Sequence, residues 1–424
     1  MEIQKVPVSQ INPAPYNSRV DLQPGDLRYD QIECSLATFG YVELLVWNRR
    51  TKNLVSGHQR FKILLSRGAT EIEVSVVDLP LDQEKRLNLI LNRVRGDWDE
   101  DKLADLLQEL ATIPDFDLTS TGFTPVEISE IFDRQADDRE DDFDLNGVLD
   151  SSEEPITQAG EIIELGNHRI MCADATVPEN VEALMAGQKA GIVITDPPYL
   201  ARYSAEQRPT NKRKNPKWKP ILNDNLPDAE YAVLLEKAFF NMRQFMLPGA
   251  CAYIWNGFAQ FGRMHDLLTK LDFHVSGIIV WEKPCPAPSF ADYQWQSEFC
   301  CYCWLKENGA HRWFGSPTET NVWTCRRDSS AMLRHPSQKP IELAMRALRN
   351  SSQWKDTVLD MFLGSGSTLI AAERLDRRCF GFELDRRYMD AIIKRYISFV
   401  GKNKVSSEIC KRYAVKEGPH NGKR

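Results

Sequence analysis

Long apolar runs are missing from this 424-residue chain. Nothing approaches the ~20 consecutive apolar residues of a membrane-spanning helix, so no membrane partner is expected. The opening Met1-Glu-Ile-Gln-Lys5 lacks the basic-then-apolar pattern of a secretory signal, and export is not expected. Ten cysteines do not make a disulfide framework over this length and suit reduced thiols in a cytoplasm. Cys300, Cys301, Cys303 and Cys325 come nearest to a zinc pattern. Adjacent Cys300 and Cys301 would face opposite sides of a strand, however, and no Cys-x-x-Cys pair follows. A buried thiol-rich strand is expected there, and no metal. No internal repeat is visible. A 42% hydrophobic and 27% charged composition excludes a wholly disordered or fibrous protein, and the length suits two or three domains.

Excess positive charge is also absent: 53 Lys and Arg face 60 Asp and Glu, a net charge of −7. The distribution is uneven. Residues 1–150 carry 16 basic and 29 acidic side chains, whereas residues 151–424 carry 37 and 31. A polyanion would find its place in the second part.

Residues 1–80 read as a small mixed α/β unit, with a helix over Gln31–Phe39, a hairpin of Leu44–Trp47 and Asn53–Ser56, a helix over Phe61–Ser66 and a strand over Ile72–Val77. Residues 81–136 read as a helical connector. Leu87, Ile90, Leu91 and Val94 would form one apolar face, and Leu103, Leu106, Leu107 and Leu110 another. Thr124-Pro-Val-Glu127 has the makings of an N-cap, an N1 proline and a capping box. Residues 137–156, opening with Asp137-Asp-Arg-Glu-Asp-Asp-Phe-Asp144, read as an acidic linker. Residues 157–400 alternate strands and helices, the pattern of a mostly parallel sheet covered on both faces. Residues 401–424 form a basic tail.

Two stretches carry chemistry. Thr195-Asp-Pro-Pro-Tyr199 follows the apolar strand Gly191–Thr195, and open α/β sheets bind ligands just past strand carboxyl ends. The two prolines stiffen the backbone and leave no N–H between Asp196 and Tyr199. The Asp196 carboxylate and a backbone carbonyl would present two acceptors to the two hydrogens of a planar amine. Pro198 completes the rigid turn, and Tyr199 offers a face for a ring to stack on. The second stretch, Val358–Thr368, reads as strand, glycine turn and helix. Gly364 and Gly366 permit close backbone approach, and Glu383, 23 residues beyond Asp360, suits two vicinal ribose hydroxyls. No third glycine stands at dinucleotide spacing, which favours a nucleoside ligand without a pyrophosphate.

With these motifs, the chain resembles the amino-type DNA methyltransferases that make N6-methyladenine or N4-methylcytosine. Asp-Pro-Pro-Tyr precedes the Phe362–Gly366 motif, the order of the permuted β subgroup. His335-Pro-Ser-Gln-Lys-Pro340 and Asn167–Asp174 are similar to further segments of that family. The resemblance implies a Rossmann-like fold with a mostly parallel seven-stranded sheet, S-adenosylmethionine as cofactor and double-stranded DNA as partner, with a homodimer left open. It also implies a cytoplasmic, bacterial or phage-encoded enzyme of restriction–modification or phage modification. Asp360, Phe362, Gly364 and Gly366 would line the methionine part of the cofactor, Glu383 its ribose and Asp174 its adenine amine. Ser337 and Lys339 would lie beside the same cavity. Asp196, Pro197, Pro198 and Tyr199 would hold a base flipped out of the duplex. Proline is usual where this chain has Met361, which should soften the turn slightly.

The segment after Tyr199 carries Arg202, Arg208, Lys212, Arg213, Lys214, Lys217 and Lys219 against one acid, Glu206, and is expected to meet DNA phosphates. Residues 257–334 occupy the place of the family's target-recognition region. Residues 3–80 resemble the ParB/sulfiredoxin-like domain through Val6–Asn12, Phe39–Glu43 and Val55–Arg60. Gly57 runs directly into His58 where sulfiredoxins place a cysteine, so peroxidase repair is not expected. Arg60 is a candidate for phosphate binding, with local helix pairing as the alternative. The overall expectation is N6-adenine methylation. N4-cytosine methylation and a DNA- or nucleotide-binding ParB-like protein with a vestigial methyltransferase part remain as alternatives.

Overall fold

The computed structural model describes residues 2–93, 98–136, 141, 143–149, 154–200, 222–287, 292–306, 310–325 and 339–413. The chain divides into two compact units, Met1–Gln135 and Ala136–Arg424.

The first unit contains a five-stranded sheet ordered β1-β5-β3-β4-β2, built from β1 (Glu2–Pro7), β2 (Asn12–Pro13), β3 (Leu45–Asn48), β4 (Asn53–Ser56) and β5 (Glu71–Val77). β3 and β4 form the antiparallel hairpin that the sequence pattern predicts. Val6, Trp47, Leu54, Phe61 and Val74 pack in its core. The helices are α1 (Leu27–Phe39), α2 (His58–Ser66), α3 (Leu81–Asn92), α4 (Glu100–Ala111) and α5 (Pro125–Gln135). The helical stretch read as a connector thus falls in the same compact unit as this sheet as far as Gln135.

Helix α4 buries Leu103, Leu106, Leu107 and Leu110, as their spacing predicts. At the start of α5 the capping box forms: the Thr124 N–H donates to Glu127 Oε2 at 2.8 Å, and the Glu127 N–H donates to Thr124 Oγ1 at 3.3 Å. Helix α3 departs from expectation. Ile90 and Leu91, assigned to its buried face, are exposed, and Val94 lies outside the described residues. Glu84, Asn88, Leu89 and Asn92 are buried instead. The reason is a polar network that outweighs the apolar stripe. Glu84 accepts from the Tyr16 hydroxyl at 2.5 Å, from Asn53 Nδ2 at 2.8 Å, and from Asn48 and Thr51. Asn88 Nδ2 donates to the Val55 carbonyl at 2.7 Å. A buried hydrogen-bond network centred on one carboxylate can define a helix face as well as leucines do.

The second unit is built on a nine-stranded sheet: β6 (Ile162–Leu165), β7 (His168–Met171), β8 (Ala190–Thr195), β9 (Met246–Asn256), β10 (Phe273–Ala287), β11 (Trp295–Leu305), β12 (Val322–Thr324), β13 (Thr357–Asp360) and β14 (Arg378–Phe382). The order is β12-β10-β11-β9-β8-β13-β14-β7-β6. The run β9-β8-β13-β14-β7 is parallel throughout, while β11 is antiparallel to both β9 and β10. Nine strands replace the expected seven because two short ones, β6 and β12, extend the edges.

Helices cover both faces. Side chains of α7 (Pro178–Met185), α8 (Asp228–Gln244) and α9 (Phe261–Lys270) build one apolar layer. Those of Ile341–Ser351 (α10 below), Ser367–Arg374 (α11) and Arg386–Val400 (α12) build the other. Cys300 joins the second layer with Cys325, and Cys301 and Cys303 join the first, so the thiols belong to the core on opposite faces. A buried thiol-rich strand is therefore what forms.

The acidic stretch is not wholly a spacer. It contains helix α6 (Leu145–Leu149), whose Leu145 and Leu149 pack on Ala391. The stretch read as a tail begins with structure too. Helix α13 (Ser407–Arg412) leads to buried Tyr413, whose hydroxyl lies 2.8 Å from Thr157 Oγ1. Among the described residues no helix is long and apolar enough to cross a membrane.

The α3 network yields a stability test. Glu84→Ala strands four donors of the first unit. It is expected to lower the free energy of unfolding by roughly 3 kcal/mol, read by urea denaturation, whereas Ile90→Ala on the exposed face costs under about 1 kcal/mol.

Candidate active site

Four neighbouring parallel strands end on one edge, and each leads to an acidic residue. β8 runs into Asp196 and β14 into Glu383, β13 ends at Asp360, and Asp174 follows three residues after β7. Parallel strands all present their carboxyl ends on the same side, which is why residues distant in sequence converge here. Main-chain bonds tie the edge together. The Glu383 N–H donates to the Met171 carbonyl at 3.1 Å, and the Leu363 N–H donates to the Phe382 carbonyl at 2.7 Å. The Met361 N–H donates to Thr195 Oγ1 at 3.2 Å. A proline at position 361 could not make that bond, so methionine here fastens the turn where the sequence suggested a slight softening.

The glycine turn has the conformation its composition calls for. Gly364 and Gly366 have φ of 54° and 81°, in the left-handed region. Gly366 caps α11, and a Cβ there would stand 3.1 Å from Ile392. The Gly364 N–H donates to Glu383 Oε2 at 2.9 Å, and the Asp385 N–H donates to Glu383 Oε1 at 2.8 Å. Burial pushes the Glu383 carboxyl up to about 8 and the Asp360 carboxyl up to about 6. The Phe362 N–H donates to Asp360 Oδ1 at 3.0 Å, closing the turn on itself. Asp174 is exposed, and its Oδ1 accepts from the Thr176 N–H at 2.8 Å.

The Asp-Pro-Pro-Tyr loop forms a charged cluster. Asp196 Oδ1 accepts from the Tyr199 hydroxyl at 2.6 Å, and Oδ2 accepts from Lys339 Nζ at 2.6 Å. Lys339 also donates to the Tyr199 oxygen at 2.8 Å and lies 3.2 Å from Glu298 Oε2. Glu298 in turn pairs with Lys283 at 2.5 Å. The Lys339 ammonium stands over the rings of Tyr199 and Trp255, 5.1 and 5.2 Å from their centroids. Burial raises the Asp196 carboxyl, and Lys339 only partly offsets it. Burial also works to raise Glu298, but Lys339 and Lys283 together hold it low. The Tyr231 hydroxyl, on α8, donates to the Pro198 carbonyl at 2.6 Å and pins the second proline.

The structure therefore gathers Asp196, Pro197, Pro198, Tyr199, Lys339, Asp360, Phe362, Gly364, Gly366, Glu383 and Asp174 along one sheet edge. Lys339 was expected beside the cofactor cavity alone, and it spans two places. Its carbonyl accepts from Ser367 Oγ at 2.7 Å at the head of α11, while its ammonium reaches Asp196. Ser337, Arg202, Arg208, Lys212, Arg213 and Lys214 lie outside the described residues. Arg60, in the first unit, pairs with Glu43 at 2.5 Å and donates to the Glu43 carbonyl at 3.2 Å, which is the local pairing. Nearby His58 accepts from the Ala14 N–H at 3.4 Å, and burial lowers it to about 4.

Sequence reasoning missed Glu298, Lys283 and Tyr231. Glu298 did leave a signal: it is a lone acid entering the apolar run Phe299–Leu305. A charge at such a place asks for a partner.

Residues 191–395 match the family model described as DNA methylase, of the N6/N4 type, and residues 101–159 match that described as the ParB-methyltransferase HTH domain. The second match takes in α4, α5 and α6, part of which the sequence suggested was only a connector. Type II methyltransferase M2.MboI of Moraxella bovis is 31% identical over 166 residues, 35% of this chain and 60% of that protein. Type II methyltransferase M.HinfI of Haemophilus influenzae is 24% identical over 226 residues, 48% of this chain and 62% of that protein. The chain thus spans about three-fifths of these relatives' length. Among solved structures, an M1.HpyAVI–SAM complex is 23% identical with a TM-score of 0.41, covering 53% of this chain and 97% of that one. The cytosine-N4-specific PvuII DNA methyltransferase is 17% identical with a TM-score of 0.43, covering 62% and 95%.

The charged cluster predicts a pH-dependent penalty. Lys339→Met leaves Asp196 and Glu298 without their shared cation and is expected to cost about 2 kcal/mol of stability near neutral pH. Protonating the two carboxylates relieves the repulsion, so the difference from the unsubstituted chain should shrink as the pH falls through the carboxylate range. Denaturant titrations at several pH values check this.

Proposed function

We propose that the chain, whose residues 191–395 match the N6/N4 DNA methylase model, transfers a methyl group from S-adenosylmethionine to the N6 amine of adenine in double-stranded DNA. The observation that carries the proposal is the shared edge, where the amine-gripping loop and the glycine turn are joined through Lys339. The Asp of Asp-Pro-Pro-Tyr, where serine would favour cytosine, supports adenine over N4-cytosine.

The residues present suit the cofactor. Glu383 is a half-buried acceptor at a strand tip beside left-handed glycines, as a ribose requires. Asp360, Phe362, Gly364 and Gly366 line the turn for the methionine end, Lys339 meets it at Ser367, and Ser337 is a further candidate for the amino-acid end. Asp174, one strand beyond Glu383, is the candidate for the adenine amine. S-adenosylmethionine supplies a methyl group on a sulfonium, a good leaving group, so the protein's share is mainly positioning.

Asp196 and the Pro197 carbonyl accept the two hydrogens of the flipped base's amine, drawing its nitrogen out of conjugation, while Tyr199 stacks the ring. Both Asp196 oxygens are engaged by Tyr199 and Lys339, so the incoming amine displaces at least one of them. Glu298, 3.2 Å from the ammonium, keeps Lys339 paired when it yields. Arg202, Arg208, Lys212, Arg213 and Lys214 serve as phosphate contacts, and the organisation into a ParB-like front module and a methyltransferase module belongs to the same reading. The setting is a bacterial or phage-infected cytoplasm.

Two measurements test this. Asp196→Ala should abolish methylated product, at least about 100-fold, while retaining S-adenosylmethionine binding. Nucleoside analysis of the DNA should return N6-methyladenine; N4-methylcytosine would overturn the base assignment. Separately, hydroxyl donors bind a carboxylate better than a carboxylic acid. With desolvation pushing the Glu383 carboxyl up to about 8, S-adenosylmethionine affinity should rise as the pH climbs toward that value and level off above it. Glu383→Gln should weaken binding and flatten that profile in equilibrium dialysis.

A further inference from the structure

Arg395 lies on α12 with its guanidinium almost wholly buried. Its Nε donates to Asp141 Oδ2 at 2.8 Å, and its Nη1 donates to the Ser365 carbonyl at 2.8 Å. One planar group therefore joins the acidic stretch ahead of the methylase fold to the glycine turn inside it. The donors of a guanidinium are fixed relative to one another, so the positions of its two acceptors are fixed as well.

The restrained carbonyl is well placed to matter. The Ser365 C=O and the Gly366 N–H are two ends of one planar peptide group, so holding the oxygen also orients the donor at the head of α11. That Gly366 N–H bonds to the Leu363 carbonyl at 2.9 Å, and the neighbouring Gly364 N–H is committed to Glu383. Asp141 does not dock alone. Asp390 accepts from the N–H groups of Ile156 at 2.7 Å and Thr157 at 2.9 Å, and Arg386 Nε donates to the Thr157 carbonyl at 2.6 Å. Leu145 and Leu149 pack on Ala391. All of these contacts fall on α12, which begins three residues after Glu383.

We propose that Asp141 is a positioning residue for the cofactor turn: through Arg395 it holds the Ser365–Gly366 peptide in the orientation that S-adenosylmethionine requires. The ligand's identity rests on the methyltransferase reading, but the restraint on the turn does not. Without the Asp141 carboxylate, a buried guanidinium loses this counter-charge at a large desolvation cost. It then turns toward other acceptors and releases the Ser365 oxygen.

The full chain is compared with Asp141→Asn, with the charge-conserving Asp141→Glu, and with Glu161→Gln, which breaks the Glu161–Arg412 ion pair elsewhere in the same unit. Equilibrium dialysis reads the affinity for S-adenosylmethionine, and amide hydrogen exchange of the ligand-free chain reads the Gly364 and Gly366 N–H groups. Asp141→Asn should weaken binding about tenfold and speed exchange at both glycines. It should raise KM for S-adenosylmethionine with kcat at saturation retained. Asp141→Glu should recover most of the loss, and Glu161→Gln should match the unsubstituted chain. Unaltered affinity and exchange in Asp141→Asn would overturn the proposal, as would an equal loss in Glu161→Gln, which would mean general loosening. If the unsubstituted chain took up no S-adenosylmethionine while Asp141→Asn still freed the glycine amides, the restraint would stand and the methyltransferase reading would fall.

Discussion

Four parallel strands side by side, each delivering a carboxylate to the same rim, are the constraint on which the rest of the second unit depends. Parallel pairing of β8, β13, β14 and β7 leaves no choice about which edge Asp196, Asp360, Glu383 and Asp174 occupy. The helices returning the chain between these strands pack on both faces and bury Asp360, while Asp196 and Glu383 are half-buried and Asp174 is exposed. The acids nearest the core are then costly to ionise, and both Asp360 and Glu383 are pushed upward by burial. Backbone N–H groups from the turn and the strand tips meet that cost in part.

Lys339 deals with the remaining charge near the loop. One ammonium serves Asp196 and Glu298 together, and Lys283 completes an alternation of sign across the cluster. A cation shared between two carboxylates can lean toward either without becoming unpaired, which suits a site where one partner must be surrendered. Its backbone is anchored separately at α11 through Ser367. Loop and glycine turn are therefore mechanically connected as well as adjacent.

Buried polar groups organise the protein beyond that site. In the first unit Glu84 gathers four donors and turns the polar side of α3 inward, leaving Ile90 and Leu91 exposed. In the second, Asp390 and Arg386 gather the main chain of residues 155–157 onto α12. Both arrangements build specificity from satisfied hydrogen bonds where apolar area is limited.

Local signals in the sequence were enough to determine several elements. The capping box of α5, the leucine face of α4, the β3–β4 hairpin and the strand–glycine turn–helix around Gly364 follow from neighbours within a few residues, where backbone preferences and periodicity act. The convergence of Asp196, Asp360 and Glu383 was also legible, because strand-then-motif patterns imply a common edge once the sheet is parallel. Tertiary structure alone decided which face of α3 is buried, that Lys339 reaches Asp196, and that Glu298, Tyr231 and Asp141 take part. These outcomes depend on partners 31 to 254 residues away in the chain. Distance along the chain carries no information about a side-chain pair until packing brings the two groups together, and the energy of a buried charge is set by that packing rather than by its neighbours in sequence.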